Sequence, residues 1–205
     1  MPFNVHELQI GVAYWHNTSW PEDFHNAFYQ YMIDINPRGN FDQAWWEQFL
    51  PILGRWKATR PCSHAYLTRR AQNRFQRLSE AWNDVIVQHL AEDIENIEWD
   101  HIAVFPGIVS EIKNVASPVF SSKFCHFLAP AIFPVIDNRA MGNPFSTYQQ
   151  YYSEGRREWF ETDNDIRDAL MDLITNEIGP VMTPDYPTKC KVIELCFIGR
   201  NQNNG

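Results

Sequence analysis

The chain has 205 residues, 44% hydrophobic and 15% aromatic, which supports a packed core and excludes a disordered protein. Its net charge of −8 excludes a chain that is basic throughout. No stretch approaches the roughly 20 apolar residues of a membrane helix, and MPFNVHELQI has no basic segment leading into an apolar run. The expectation is therefore a cytoplasmic protein without membrane contact.

In chain order, Ser19-Trp20-Pro21-Glu22 has the capping-box form with proline in the first turn. Phe24, Phe28, Tyr31, Met32 and Ile35 follow at helical spacing up to Asn36-Pro37. A second helix is expected from about Asp42 through Trp45, Trp46, Phe49 and Leu50, kinked or split by Pro51 before Ile52, Leu53 and Trp56. The longest helix is expected from about Ser63 to Glu92-Asp93, because Leu67, Ala71, Phe75, Leu78, Trp82, Val85, Ile86 and Leu90 keep a three-to-four residue period. Asp100 to Val115 reads as a short helix or turns interrupted by Pro106-Gly107. Ser117-Pro118 opens a helix ending near Ala129-Pro130, and the connector AIFPVI leads to Asp137.

Tyr148 to Phe160 is expected to be helical. Thr162-x-x-Asp165 opens a helix closed by Gly179-Pro180, and a last helix runs from about Pro187 to Gly199. Short β-branched runs such as IAVF and FPVI are too brief and isolated for a substantial sheet. The expected class is all-α: one compact multi-helix domain over residues 1–200, with room for two lobes around a cleft. Residues 201–205 are polar and read as a disordered tail.

Charge is unevenly distributed. Arg55, Lys57, Arg60, Arg69, Arg70, Arg74 and Arg77 fall in a stretch without a single acid, whereas Leu78 to His101 holds seven acidic residues and no lysine or arginine. Arg70, Arg74 and Arg77 share a stripe at i, i+4 and i+7, which together with Arg69 is suited to phosphates; a solvated face paired with the acidic segment is an equal reading. Cys62, Cys125, Cys190 and Cys196 lack a C-x-x-C pair and read as free, mostly buried thiols. No metal or cofactor motif is present, and neither a metal nor a cofactor is expected. Trp45 and Trp46 are adjacent, so one of them is expected to face a cleft or interface rather than the core.

Ser117 to Gly142, SPVFSSKFCHFLAPAIFPVIDNRAMG, is the segment with chemical potential. Lys123 stands in the first turns of a helix, with His126 one turn on. Asp137 ends an apolar run where a helix cap would sit, held ionised by backbone donors. Ser-Ser-Lys, an apolar helix, then Pro-Val-Ile-Asp-Asn-Arg resembles the helix-hairpin-helix DNA glycosylase superfamily. That resemblance implies a helical protein that cleaves the N-glycosidic bond of a modified or damaged base. Lys123 would attack the sugar C1′ and Asp137 would assist departure of the base. Around them, His126, Arg139, Trp45 and Trp46 become candidate substrate contacts, and Ser121, Ser122, Arg69, Arg70, Arg74 and Arg77 candidate DNA contacts. The stretch Ala116 to Ser122 contains no glycine, which places phosphate binding on the basic stretch 55–77. The competing expectation is a catalytically inactive helical module that binds nucleic acid, a protein partner or a second copy of itself.

Overall fold

The computed structural model describes residues 1–18, 26–113, 117–178 and 186–203, and among them every regular element is helical. The α-helices are α1 (Val5–His16), α2 (Asn26–Asp34), α3 (Gln43–Arg55), α4 (His64–Gln72), α5 (Phe75–Ala81), α6 (Trp99–Ile102) and α7 (Val104–Lys113). They continue with α8 (Pro118–Leu128), α9 (Tyr148–Glu161), α10 (Asn164–Ile178) and α11 (Thr188–Asn203). The all-α expectation therefore holds, and no described helix is long and apolar enough to cross a membrane. The capping box at residues 19–22, Phe24, Ala116 and Gly179-Pro180 lie outside the described residues.

Helix α1 has no counterpart among the expected elements, because Gly11 and scattered polar residues blur its apolar period. It starts where the Asn4 side chain accepts from Glu7 N at 3.0 Å, and it lies antiparallel along α11. A Cβ at Gly11 would collide with the Leu195 carbonyl, and one at Gly199 with the Glu7 carbonyl. Only glycine lets the two backbones approach so closely. Arg200 then fastens this pair to α9, with its Nε 2.7 Å from Glu7 and its Nη2 2.6 Å from Glu158.

Several local expectations are corrected. Helix α7 runs unbroken through Pro106-Gly107, where the sequence suggests an interruption, because Pro106 falls in its first turn and its missing N–H costs no helical bond. Helix α3 likewise contains Pro51, and of the kink or split expected there the split does not occur. Pro51 and Glu47 are both exposed, so the carbonyl that loses its donor faces water. The long helix expected from Ser63 is broken at Asn73-Arg74: α4 stops, α5 runs to Ala81, and a π-helical turn (Trp82–Ile86) and a 3₁₀ turn (Val87–His89) follow. The break places Arg69 and Arg70 in the last turn of α4, where the helix dipole favours cations. At the C-terminus, α11 continues through Asn203, past the expected start of the tail. The side-chain amides of Asn201 and Gln202 reach the Ala140 carbonyl at 2.9 and 3.0 Å, which gives these polar residues a reason to be ordered.

Trp45 and Trp46 are both buried, contrary to the expectation for adjacent helical residues. Helix α3 is packed on two sides. Trp45 meets Phe41, Phe49 and Phe124, while Trp46 meets Phe75 and donates its indole N–H to Thr68 Oγ1 at 2.9 Å. This aromatic core continues through Phe105, Phe120 and Phe127 and surrounds α8, whose residues from Phe120 to Leu128 are all buried.

Candidate functional site

Helix α8 begins at Pro118, where the fixed φ suits a first turn and the missing N–H costs no helical bond. Lys123 is carried into the centre of the molecule. It is 2% exposed, and its Nζ lies 2.9 Å from the Trp56 carbonyl at the end of α3 and 5.6 Å from the Trp56 ring centroid. Its Nζ is 3.9 Å from Asp137 Oδ2, close enough for charge attraction and too far for a hydrogen bond.

Asp137 arrives there because the extended run before it is fixed at every step. His126 Nδ1 contacts the Phe133 carbonyl at 2.6 Å, Tyr148 donates to Pro134 O at 3.0 Å, and Tyr151 donates to Val135 O at 2.7 Å. Ile136 N then donates to Ser122 Oγ at 3.0 Å. Buried backbone outside helices must find partners, and here four side chains from α8 and α9 supply them. The Asp137 Oδ1 accepts from Ala140 N at 3.0 Å, and Met141 N donates to Asp137 O at 2.9 Å. The carboxylate therefore caps one hydrogen-bonded turn rather than the expected helix.

Burial pushes the Lys123 amine below the ordinary lysine range, with the nearby Lys191 and Lys57 acting in the same direction and Asp137 and Glu194 opposing them. His126 is held well below its usual pKa, chiefly by burial. With Nδ1 donating to Phe133, its Nε2 accepts from the Tyr29 hydroxyl at 2.7 Å, so the neutral ring joins α2 to α8 and the connector. Lys191 and Glu194 form a second buried pair at 2.8 Å, with the Lys191 amine 6.0 Å from the Tyr29 ring centroid. Sequence reading missed this pair, Tyr29 and Tyr186, since an i, i+3 Lys-Glu pair usually marks an exposed helix face.

The other expected contacts separate into groups. Ser122 works on the connector, and Ser121 is buried beside it. Arg139 is exposed two residues after Asp137, and Trp45 and Trp46 belong to the core. Arg70 donates from Nε to the Ile112 carbonyl at 2.9 Å and from Nη2 to the Glu111 carbonyl at 2.5 Å. Arg74 and Arg77 meet the Glu111 carboxylate at 3.2 and 2.7 Å. The stripe thus clamps α4 and α5 onto the end of α7, and Arg69 alone of the four points to solvent without a carboxylate partner among the described residues. No group of three or more potential metal ligands occurs among the described residues.

A surface cavity of about 630 Å³ lies at the start of α11, lined by Asp93, Ala131, Tyr186 and Lys189 among others. Neither Lys123 nor Asp137 reaches it. The fold and site define an all-α protein with a desolvated lysine–aspartate pair at its centre. Comparison with family models, curated proteins and solved structures gave no match, so the reading of the site rests on its own geometry.

Proposed function

We propose that this protein is a DNA glycosylase-like enzyme in which Lys123 is the nucleophile and Asp137 the assisting carboxylate. The observation that carries this reading is the 3.9 Å approach of the two side chains in the protein interior, with the amine weakened as a base by burial. A lysine attacks carbon only as the neutral amine, so a lowered pKa raises the reactive fraction near neutral pH.

In the proposed reaction the Nζ lone pair forms a bond to C1′, and the C1′–N bond breaks with its electron pair leaving on the base, which takes up a proton. The carboxylate offsets positive charge at the sugar and accepts a proton from the attacking amine. Ring opening then gives a Schiff base, which water hydrolyses. Because Lys123 is enclosed and its amine is held by the Trp56 carbonyl, a flipped nucleotide reaches it only if the packing around the amine opens.

A second reading, a helical binding module without catalysis, is favoured by one observation: the Lys123 amine is already hydrogen-bonded to the Trp56 carbonyl. Single-turnover base release on duplexes carrying a panel of oxidised, alkylated and deaminated bases separates the two. The glycosylase reading expects release on at least one substrate, a loss of about 100-fold or more in Lys123→Met, and a rate that rises with pH through the lowered lysine pKa. Asp137→Asn removes an opposing charge, so that rising limb moves to lower pH while the maximal rate falls. No release from any substrate leaves the binding module.

A further inference from the structure

Helix α3 ends in a Schellman motif: Lys57 N donates to Gly54 O at 3.0 Å and Ala58 N to Leu53 O at 2.9 Å, with Trp56 as the C-cap. The residue after the cap must be left-handed, and glycine usually fills it. Here it is Lys57, at φ 59°. The turn therefore holds a long cationic side chain at a position where a residue without a Cβ would be less strained, and that side chain is exposed.

Arg55 and Arg60 are exposed on the same turn, and none of the three has a carboxylate partner among the described residues. Beneath them are two buried lysines. The Lys123 amine holds the Trp56 carbonyl, and the Lys113 amine holds the Ala58 carbonyl at 2.9 Å and the Ser117 hydroxyl at 3.1 Å. Two buried amines thus fix the path of a turn whose three outward side chains are all basic. In a chain of net charge −8 this is a local concentration of positive charge.

We infer that the turn 55–60 is the surface that grips the phosphodiester backbone of duplex DNA, in place of the arginine stripe 70–77. Three side chains project outward to contact successive phosphates, while the two buried lysine amines hold the turn's carbonyls in place from below. This inference rests on the glycosylase reading in taking DNA as the polymer. It also specifies how DNA would be seated over Lys123, since the Trp56 carbonyl links the turn to that amine.

The test is fluorescence anisotropy with an undamaged labelled duplex, titrated at several salt concentrations. The triple variant Arg55→Ala, Lys57→Gly, Arg60→Ala is expected to lose about tenfold or more in affinity at low salt. Its salt slope falls by about two to three, one for each phosphate contact removed. Arg74→Ala with Arg77→Ala leaves affinity within about twofold, and a thermal melt checks that each variant folds. Wild-type affinity in the triple variant, or no duplex binding by the parent protein at low salt, overturns the inference. Equal or tighter binding to vesicles of phosphatidylcholine with 30% phosphatidylglycerol overturns the assignment to nucleic acid. The two claims fail separately. Base release with an unaffected triple variant sinks the turn alone, whereas lost binding in the triple variant without base release on any substrate sinks the glycosylase reading alone.

Discussion

The basic stretch of the sequence divides in the structure into two regions with opposite fates. From Arg70 to Arg77 the cations turn inward onto Glu111 and the carbonyls at the end of α7; from Arg55 to Arg60 they turn outward, over two buried lysines. The same residue types at similar density therefore serve packing in one place and leave free charge in the other. What decides is the neighbour: α7 offers an acid and open carbonyls to the first group, and among the described residues no carboxylate pairs with the outward side chains of the second.

Substitutions can break this contrast, beginning with the strongest. Arg70→Ala removes charged hydrogen bonds to two main-chain carbonyls and should cost roughly 2 kcal/mol in chemical denaturation. Glu111→Ala should cost less, because Arg77 and much of Glu111 are in water and solvent screens that pair. If Glu111→Ala proved the costlier of the two, the carboxylate rather than the carbonyls would be the anchor of the stripe.

Acid sharpens the contrast from the interior side, where His126 is buried on the same helix as Lys123. Its folded pKa is depressed, while the unfolded chain takes up the proton near pH 6.5. Stability that is complete above that value is then lost as pH falls below it, by up to about 1.4 kcal/mol per pH unit. His126→Gln should remove that one-proton contribution from the pH dependence between 7 and 5. An unchanged slope would mean that the ring is charged in the folded protein.

The smallest effect belongs to the outward turn. Lys57→Gly relieves a left-handed residue and should stabilise the protein by roughly 0.5 to 1 kcal/mol, even as it weakens a phosphate contact. Destabilisation would show instead that the lysine side chain holds the turn.

Much of this architecture was legible in the sequence. Apolar periods and caps placed α3, α8, α9 and α11, and Pro118 marked the start of the helix that carries Lys123, whereas the interruption read at Pro106-Gly107 falls at Ala103 instead. The break at Asn73-Arg74 was not legible, since the apolar period runs through it without interruption and what marks the break, the reach of Arg74 to Glu111, is a contact distant in sequence. Nor was the burial of both tryptophans, which needs neighbours on two sides of α3. Lys123 and Asp137 were picked out as a pair, and the structure brings them together. Their enclosure was hidden, because it depends on Ser122, Tyr148 and Tyr151 holding the connector inward, and hydroxyl contacts to a distant backbone leave no periodic trace.

The most direct measurement is borohydride trapping on the damaged-base duplex panel, with the adduct mapped by peptide mass spectrometry. The account predicts a covalent protein–DNA adduct on the peptide containing Lys123, absent in Lys123→Met and present in Arg74→Ala with Arg77→Ala. An adduct on any other lysine, or base release that proceeds unchanged in Lys123→Met, would contradict it.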